Sequence, residues 1–370
     1  MILVVFGTTG ELIKLAPVLL RLDRSRGDYL LATTGQQVEQ IPSFLEQFAL
    51  PQPDLWLARG RRGRDLRVNS DIPAWLRTVA ATYARCRASL RSSLSRGDAR
   101  PLVLVHGDTM TTVLGAVIGR SLRVPVAHVE SGLRSYDLRN PFPEEINRKL
   151  ASALARIHYA PGRWAAANVR GEVVDTGSNT IRDSLELVPK GDPPFPLPDR
   201  PFGVVSLHRF ELLNSRRLLT ETVTALARVA AHTPLLFIGH SVTVAALERF
   251  GLRSMFDDAR LVLVPRLRFF DFVRVERHAA FVVTDSGGSQ EECYYLDIPC
   301  LVHRVRTERR EGLGENAVLS GLDGDVLRSF LAAPERHRRR SQPPVESPSD
   351  AIVADLRRRG VVRSEAGARR

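Results

Sequence analysis

The 370-residue sequence predicts an α/β protein of two Rossmann-like αβα domains facing a cleft. Short apolar runs without a polar break alternate with helical periodicity, as expected of parallel strands covered on both faces. A proline-rich stretch (Pro189, Pro193, Pro194, Pro196, Pro198, Pro201) interrupts the alternation, which then restarts. The length accommodates two to three domains at roughly 150 residues each.

Taken in order, Ile2 to Phe6 is the first strand. Gly7-Thr8-Thr9-Gly10 follows, then a helix carried by Ile13, Ala16, Leu19, Leu20 and Leu22. This start is not read as a secretory signal, since no basic segment precedes the apolar run and Glu11 and Lys14 interrupt it. Tyr29 to Thr33 is a second strand, and Arg59 to Arg67 reads as a solvated Arg/Gly loop. Leu102 to His106 is a third strand, with a small-residue helix running on through Leu122, and Val124 to Val129 is a fourth. After the proline break come strands at Phe202 to Leu207, Leu235 to Ile238, Leu261 to Val264, Phe281 to Thr284 and Cys300 to His303. A helix over Arg216 to Ala230 presents Leu219, Val223, Leu226 and Ala230 on one face. Residues 337–349 read as a loop, a last helix near Asp350 to Arg358 is expected to pack back across the domains, and the residues after Ser364 are expected to fray. The expected boundaries are 1–188, 200–345 and a C-terminal helix and tail at 346–370.

Composition excludes several classes. Apolar types at 44% and charged types at 25% are ordinary globular values, not those of a disordered, collagenous or coiled-coil chain. Three scattered cysteines do not make a disulfide scaffold or a Cys-rich zinc site. No stretch approaches 18 uncharged apolar residues, so no membrane span and a cytoplasmic location are expected. The net charge is +12, but 50 of the 53 basic residues are arginines spread over the chain, which reads as coding bias. Aromatic residues are 6% and not interleaved with basic ones, so no nucleic-acid partner is expected, although the positive field favours anionic ligands.

Every polar cluster of interest falls at a strand C-terminus, where open α/β sheets bind ligands. Asp108 follows a strand and begins a helix, and read alone it is a helix N-cap. Glu130 ends the next strand. Two carboxylates at neighbouring strand ends, beside His106 and His128, suit proton transfer because like charges in one site separate in pKa. Pro141 and Pro143 then lead into a helix opened by Glu144 and Glu145, with Ile146, Leu150, Leu154 and Ile157 expected as its buried face. Helix-dipole compensation, with Glu144 paired to Arg148, accounts equally for either glutamate alone. In the second domain His208 and Arg209 follow the first strand and suit an anionic leaving group. Ser286, Gly287 and Gly288 open a helix whose terminal N–H groups suit phosphate, with Glu291 or Glu292 one turn in for ribose hydroxyls. Neither a dinucleotide fingerprint nor a Walker A loop is present.

In order, FGTTGELIKLAPV, TGQQ, VLVHGDTMTT, VPVAHVESGLRS, NPFPEEINRKL, HYAP, TGSNTIRDSL, SLHRFE, VVTDSGGSQEE and TERREG resemble the non-hydrolysing UDP-N-acetylglucosamine 2-epimerases, from the first strand to about residue 321. The resemblance implies a GT-B-like fold, a UDP-N-acetylhexosamine substrate, no cofactor or metal, and a homodimer. It implies reversible C2 epimerisation through elimination of UDP to a 2-acetamidoglucal and re-addition. Asp108, Glu130 and Glu144 match its acid/base carboxylates and His208 the group that attends the departing phosphate. Ser286, Gly287 and Gly288 match its diphosphate turn, Glu292 its ribose ligand, Phe272 its uracil neighbour and Lys14 its first-turn lysine. The chain departs from the pattern at Thr9-Gly10, where the family has Arg-Pro, and Arg209 or Arg134 is the candidate substitute for that arginine. It departs again at Gln37 and Val38, where the family has histidine and a basic residue, and at Phe210 and Arg310. A hydrolysing relative, releasing N-acetylmannosamine and UDP, is the alternative enzyme, and a non-catalytic nucleotide-sugar-binding protein the alternative class.

Overall fold

A strand covered on both faces needs no polar side, and the apolar runs become strands accordingly. The computed structural model describes residues 1–22, 28–66, 69–96, 98–138, 142–256, 260–339 and 346–362. Expectations for Arg67, Asn140, Pro141, residues 340–345 and the tail after Ser364 lie outside the described residues. The chain divides into two units, Met1–Leu187 with Val345–Arg370, and Val188–Pro344.

In the first unit the strands are Ile2–Phe6 (β1), Tyr29–Thr33 (β2), Leu55–Trp56 (β3), Leu102–His106 (β4), Val126–Val129 (β5), Ile157–Ala160 (β6) and Glu172–Asp175 (β7). They form one parallel sheet in the order β3-β2-β1-β4-β5-β6-β7. The order reverses between β1 and β4, so the turns after those two strands lie side by side at the sheet's C-terminal edge. The helices are Thr9–Arg21 (α1), Ile41–Gln47 (α2), Ile72–Leu94 (α3), Met110–Leu122 (α4), Glu144–Leu154 (α5), Arg163–Ala166 (α6) and Ile181–Glu186 (α7). Pro17 inside α1 cannot donate to the Ile13 carbonyl, and Ser184 Oγ of α7 donates to that oxygen instead, at 2.8 Å. The long α3 escapes a reading of apolar period because only Trp75, Val79, Leu90 and Leu94 of its residues are buried. Trp75 anchors it by donating from Nε1 to the Thr34 carbonyl at 2.8 Å.

In the second unit the strands are Gly203–Ser206 (β8), Leu235–Gly239 (β9), Leu261–Pro265 (β10), Phe281–Thr284 (β11), Cys300–Val302 (β12) and Ala317–Leu319 (β13). They pair in parallel in the order β10-β9-β8-β11-β12-β13. Its helices are Phe210–Leu213 (α8), Arg216–Ala230 (α9), Ser241–Phe250 (α10), Phe269–Glu276 (α11), Gly287–Leu296 (α12) and Gly324–Ala332 (α13). The proline-rich stretch contains no helix or strand, yet it is not a bare tether: Phe195 and Leu197 pack against this unit's core.

The last helix, Pro348–Arg358 (α14), packs on α1 and α7 of the first unit. Buried Asp183 of α7 accepts from Ser347 Oγ and Ser349 N, both at 2.8 Å, at the N-terminus of α14. Ile352 and Leu356 are fully buried, and Tyr159 donates its hydroxyl to Asp355 at 3.0 Å.

Candidate active site

The parallel register of β4 with β5 sets His106 opposite Val129, so Asp108 and Glu130 leave the sheet from adjacent strand ends. Glu130 has a left-handed backbone, φ 62°, uncommon for a side chain with a Cβ and a feature that gathers at functional sites. Its carboxylate is buried. Lys14 of α1 forms an ion pair with it, Asn179 Nδ2 donates to it, and His106 Nε2 lies 3.9 Å away. Lys14 is itself buried, so the pair is withdrawn from solvent.

Asp108 does not cap α4. Thr109 does, accepting from Thr112 N while its own N–H donates to Thr112 Oγ1, which leaves the Asp108 carboxylate for the guanidinium of Arg148 on α5. Arg148 also reaches Glu145 at 3.3 Å, and Glu145 accepts from Ser135 N at 3.1 Å with Arg134 at 3.6 Å. The buried positions of α5 are therefore Glu145, Asn147, Arg148 and Ala151. This corrects the expected apolar face: Leu150 is 47% exposed, Ile146 and Leu154 are half-buried, and Ile157 belongs to β6. The charged side wins the interior because its charges are paired by residues from the segments that follow β4 and β5. Glu144 stands half-buried in the first turn of the same helix.

The turn after β1 is closed by its own side chains. Gly7 N and Thr8 N donate to Glu11 Oε2 at 2.8 and 2.9 Å, and Thr9 N donates to Gln37 Oε1 at 2.9 Å. Glu11 also accepts from Thr109 Oγ1 at 2.6 Å, tying the turn after β1 to the cap of α4. Burial pushes the Glu11 carboxyl up to about 7 against these stabilising hydrogen bonds. With the Gly7, Thr8, Thr9 and Glu11 N–H groups taken by side chains and the Glu11 carboxyl among them, this helix start disfavours an anion.

The second unit offers the opposite arrangement. Ser286 caps α12 through Ser289 N, and Gly287 lets Glu308 and Arg309 close in, since a Cβ there would stand 3.0 Å from Glu308 Oε1 and 3.1 Å from Arg309 Nε and make both side chains give way. Gly288 is half-buried on the same first turn. Fully buried Asp285 accepts from His208 N and Arg209 N at 2.7 Å each, which folds the loop after β8 toward the start of α12. Burial raises Asp285 to about 6. Burial, and then the cations of Arg209, Arg266 and Arg304, hold His208 down at about 4, so the imidazole is neutral at pH 7. Its ring lies 4.6 Å from that of His240. Arg304 is wholly buried, with Nε and Nη2 making no hydrogen bond among the described residues. Glu291 is fully buried against Arg309 at 3.4 Å, whereas Glu292 retains some exposure. Phe272 is half-buried against the core of this unit. Among the described residues no group of three or more His, Cys, Asp or Glu could hold a metal ion. None of their helices is long and apolar enough to cross a membrane.

The family model described as UDP-N-acetylglucosamine 2-epimerase matches residues 21–329. The chain belongs to the UDP-N-acetylglucosamine 2-epimerase family. It is 29% identical to the UDP-N-acetylglucosamine 2-epimerase of Bacillus subtilis, over 92% of this chain and 90% of the other. It is 30% identical to that of Yersinia pestis, over 86% and 85%. Among solved structures it resembles the Neisseria meningitidis UDP-GlcNAc 2-epimerase bound to UDP-GlcNAc, with TM-score 0.80 and 25% identity over 96% of this chain and 99% of the other. It also resembles S. aureus MnaA solved with UDP, with TM-score 0.79 and 27% identity over 96% of each.

Within this epimerase family the Thr9-Gly10 departure has a local account. Gln37, in place of histidine, accepts from both Thr9 N and Thr9 Oγ1, so the two replacements contact each other. Sequence reasoning passed over Glu11, Arg148, Asn179, Asp285 and Arg304 as site-forming residues. Glu11 was findable, since Thr8 and Glu11 spell a capping box and the structure forms one. Of the others, Arg148 meets Asp108, Asn179 meets Glu130 and Asp285 meets the backbone of His208 and Arg209, all partners from remote segments that no local pattern announces.

Proposed function

We propose that this chain interconverts UDP-N-acetylglucosamine and UDP-N-acetylmannosamine without net hydrolysis. The observation that carries the reading is the set of carboxylates at one sheet edge: Asp108 oriented by Arg148, Glu130 oriented by Lys14 and Asn179, and Glu144 on the helix that supplies Arg148.

The chemistry accounts for these residues. The C2 proton is weakly acidic, since its neighbour C1 is not a carbonyl, so positive character must grow at C1 as the proton leaves. A carboxylate takes the C2 proton, the C1–O bond to UDP breaks, and the electron pair of the C–H bond becomes the C1–C2 double bond of the glycal. In return, a carboxyl on the other face delivers a proton to C2 and the diphosphate oxygen re-forms its bond to C1. The second unit supplies the groups for the departing diphosphate: the N-terminus of α12 at Ser286, Gly287 and Gly288, with neutral His208 as hydrogen-bond donor and Arg209 as cation. Glu292 is assigned to the ribose, Phe272 to the uracil and Arg134 to the substrate through its place beside Glu145.

The test is UDP-N-acetylglucosamine in deuterated water. Deuterium at C2 of the UDP-linked sugar is expected, and Asp108→Asn should lower turnover by more than about two orders of magnitude. Free sugar with stoichiometric UDP would replace the proposal by the hydrolysing reaction, and no exchange with any UDP-hexosamine would leave a binding protein.

A further inference from the structure

We infer that His128 is a positioning residue for Asp108: its buried ring holds the Gly107 carbonyl and thereby fixes the turn from which the Asp108 carboxylate projects. This rests on the reading above, in which Asp108 moves a proton.

His128 lies inside β5, opposite Val105 of β4, and is 1% exposed. Its Nε2 is 2.7 Å from the Gly107 carbonyl oxygen. A carbonyl only accepts, so Nε2 must carry the proton. The ring is neutral, because burial, the largest influence, holds its pKa down at about 4. The other ring nitrogen, Nδ1, makes no hydrogen bond among the described residues, so the tautomer is committed to Gly107. Gly107 needs such a hold. Its φ of 71° is left-handed, a conformation glycine reaches freely and leaves as freely.

The same strand grips the glycine from its other side, since Gly107 N donates to the Val129 carbonyl at 3.0 Å. Both polar groups of Gly107 are thus held by β5, whose next residue is Glu130. A Cβ placed on Gly107 would sit 3.7 Å from Glu130 Oε1, which shows how closely the two turns adjoin. The arrangement indexes Asp108 to Glu130, fixing one carboxylate relative to the other. His158, the register partner of His128 on β6, does not take over: its Nδ1 is engaged with Ser131 Oγ at 3.0 Å and its Nε2 lies beside Gly171, 3.5 Å from where a Cβ would stand there. Without the Nε2 donor the peptide between Gly107 and Asp108 is free to rotate, and a carboxylate misplaced by about 1 Å loses up to about a hundredfold in rate.

The test compares His128→Gln, whose amide nitrogen reaches the former Nε2 position, with His128→Leu, which fills the space and donates nothing. His128→Leu is expected to lower kcat for C2 exchange by about tenfold to a hundredfold while KM and UDP affinity stay within about twofold. His128→Gln should stay within about fivefold of the parent even if both variants lose the same Tm. Equal kcat in the two variants, or losses that follow Tm, overturns the inference. If His128→Leu does not fold, His128→Asn takes its place, since the shorter amide falls short of Gly107. Backbone hydrogen exchange at residues 107–109 reads the strut without any turnover: faster in Leu and unchanged in Gln is expected, and equal protection in both overturns the inference. Absence of C2 exchange in the parent protein, by contrast, would sink the proposed function and leave this second measurement to decide the role of His128.

Discussion

Replacing Lys14 by Met removes one half of a buried ion pair and leaves Glu130 as a carboxylate withdrawn from water. The side chains are 9% and 3% exposed, so solvent cannot stand in for the lost ammonium. Breaking a buried pair on one side costs about 3–5 kcal/mol, against at most about 1 kcal/mol for a surface pair. For a unit of this size each kcal/mol moves Tm by about 2–4 °C, so Lys14→Met should lower the transition of the first unit by roughly 10 °C. Glu130→Gln strands the ammonium instead and should also destabilise. The double variant, with a neutral amide facing a thioether, should return to within about 2 kcal/mol of the parent, because replacing both charges removes both desolvation penalties. With each single variant losing at least about 3 kcal/mol and the double at most about 2, the expected coupling energy is about 4 kcal/mol or more. Scanning calorimetry of the full chain measures all four proteins, and C2 exchange measured in parallel should be lost in every variant, including the stable double one. A coupling below about 1 kcal/mol would mean that Lys14 behaves as a surface residue and would refute the buried-pair account.

Asp183→Ala should loosen α14, because two hydrogen bonds to a buried carboxylate at the helix start disappear together. A loss of about 2–4 kcal/mol is expected in the first unit with no change in UDP affinity, and proteolysis after residue 346 should quicken. An unchanged Tm would show that Ile352 and Leu356 hold the helix unaided. Acid should destabilise the chain between pH 6.5 and 4. Burial depresses His128, His208 and His303 to about 4 and His240 to about 3, so the unfolded chain takes up those protons first. Three buried carboxyls act in the opposite sense: Glu11, raised to about 7, Asp285, raised to about 6, and Glu276, raised well above its ordinary value. Burial lowers His158 as well, so the balance is at least about one proton bound more by the unfolded chain, or at least about 1.4 kcal/mol lost per pH unit of acidification. A Tm that rises from pH 6.5 to 5 would contradict it.

Much of the fold is legible in the chain because its causes are local. A strand buried on both faces must be apolar throughout, so β1, β2, β4 and β11 can be read from their residues to the exact ends observed. The turns carrying Asp108, Glu130 and Ser286 follow β4, β5 and β11, which made these residues visible as site candidates. The edge strand β7 was unreadable for the same reason, since its residues alternate between partly buried and exposed. Helix α5 misled the reading outright. Its apolar period points to Ile146 and Leu150, yet the tertiary structure turns Glu145 and Arg148 inward.

Periodicity records how one segment divides between oil and water, and it marked strands such as β1, β2, β4 and β11, whose ends carry the polar clusters. It carries no information on which charge will meet which. Lys14 and Glu130 are 116 residues apart, Asp108 and Arg148 are 40 apart, and only the strand order brings each pair within reach. Burying a charge is unfavourable until its partner arrives, so the inward side of α5 and the grip of β5 on Gly107 were decided by the assembled sheet.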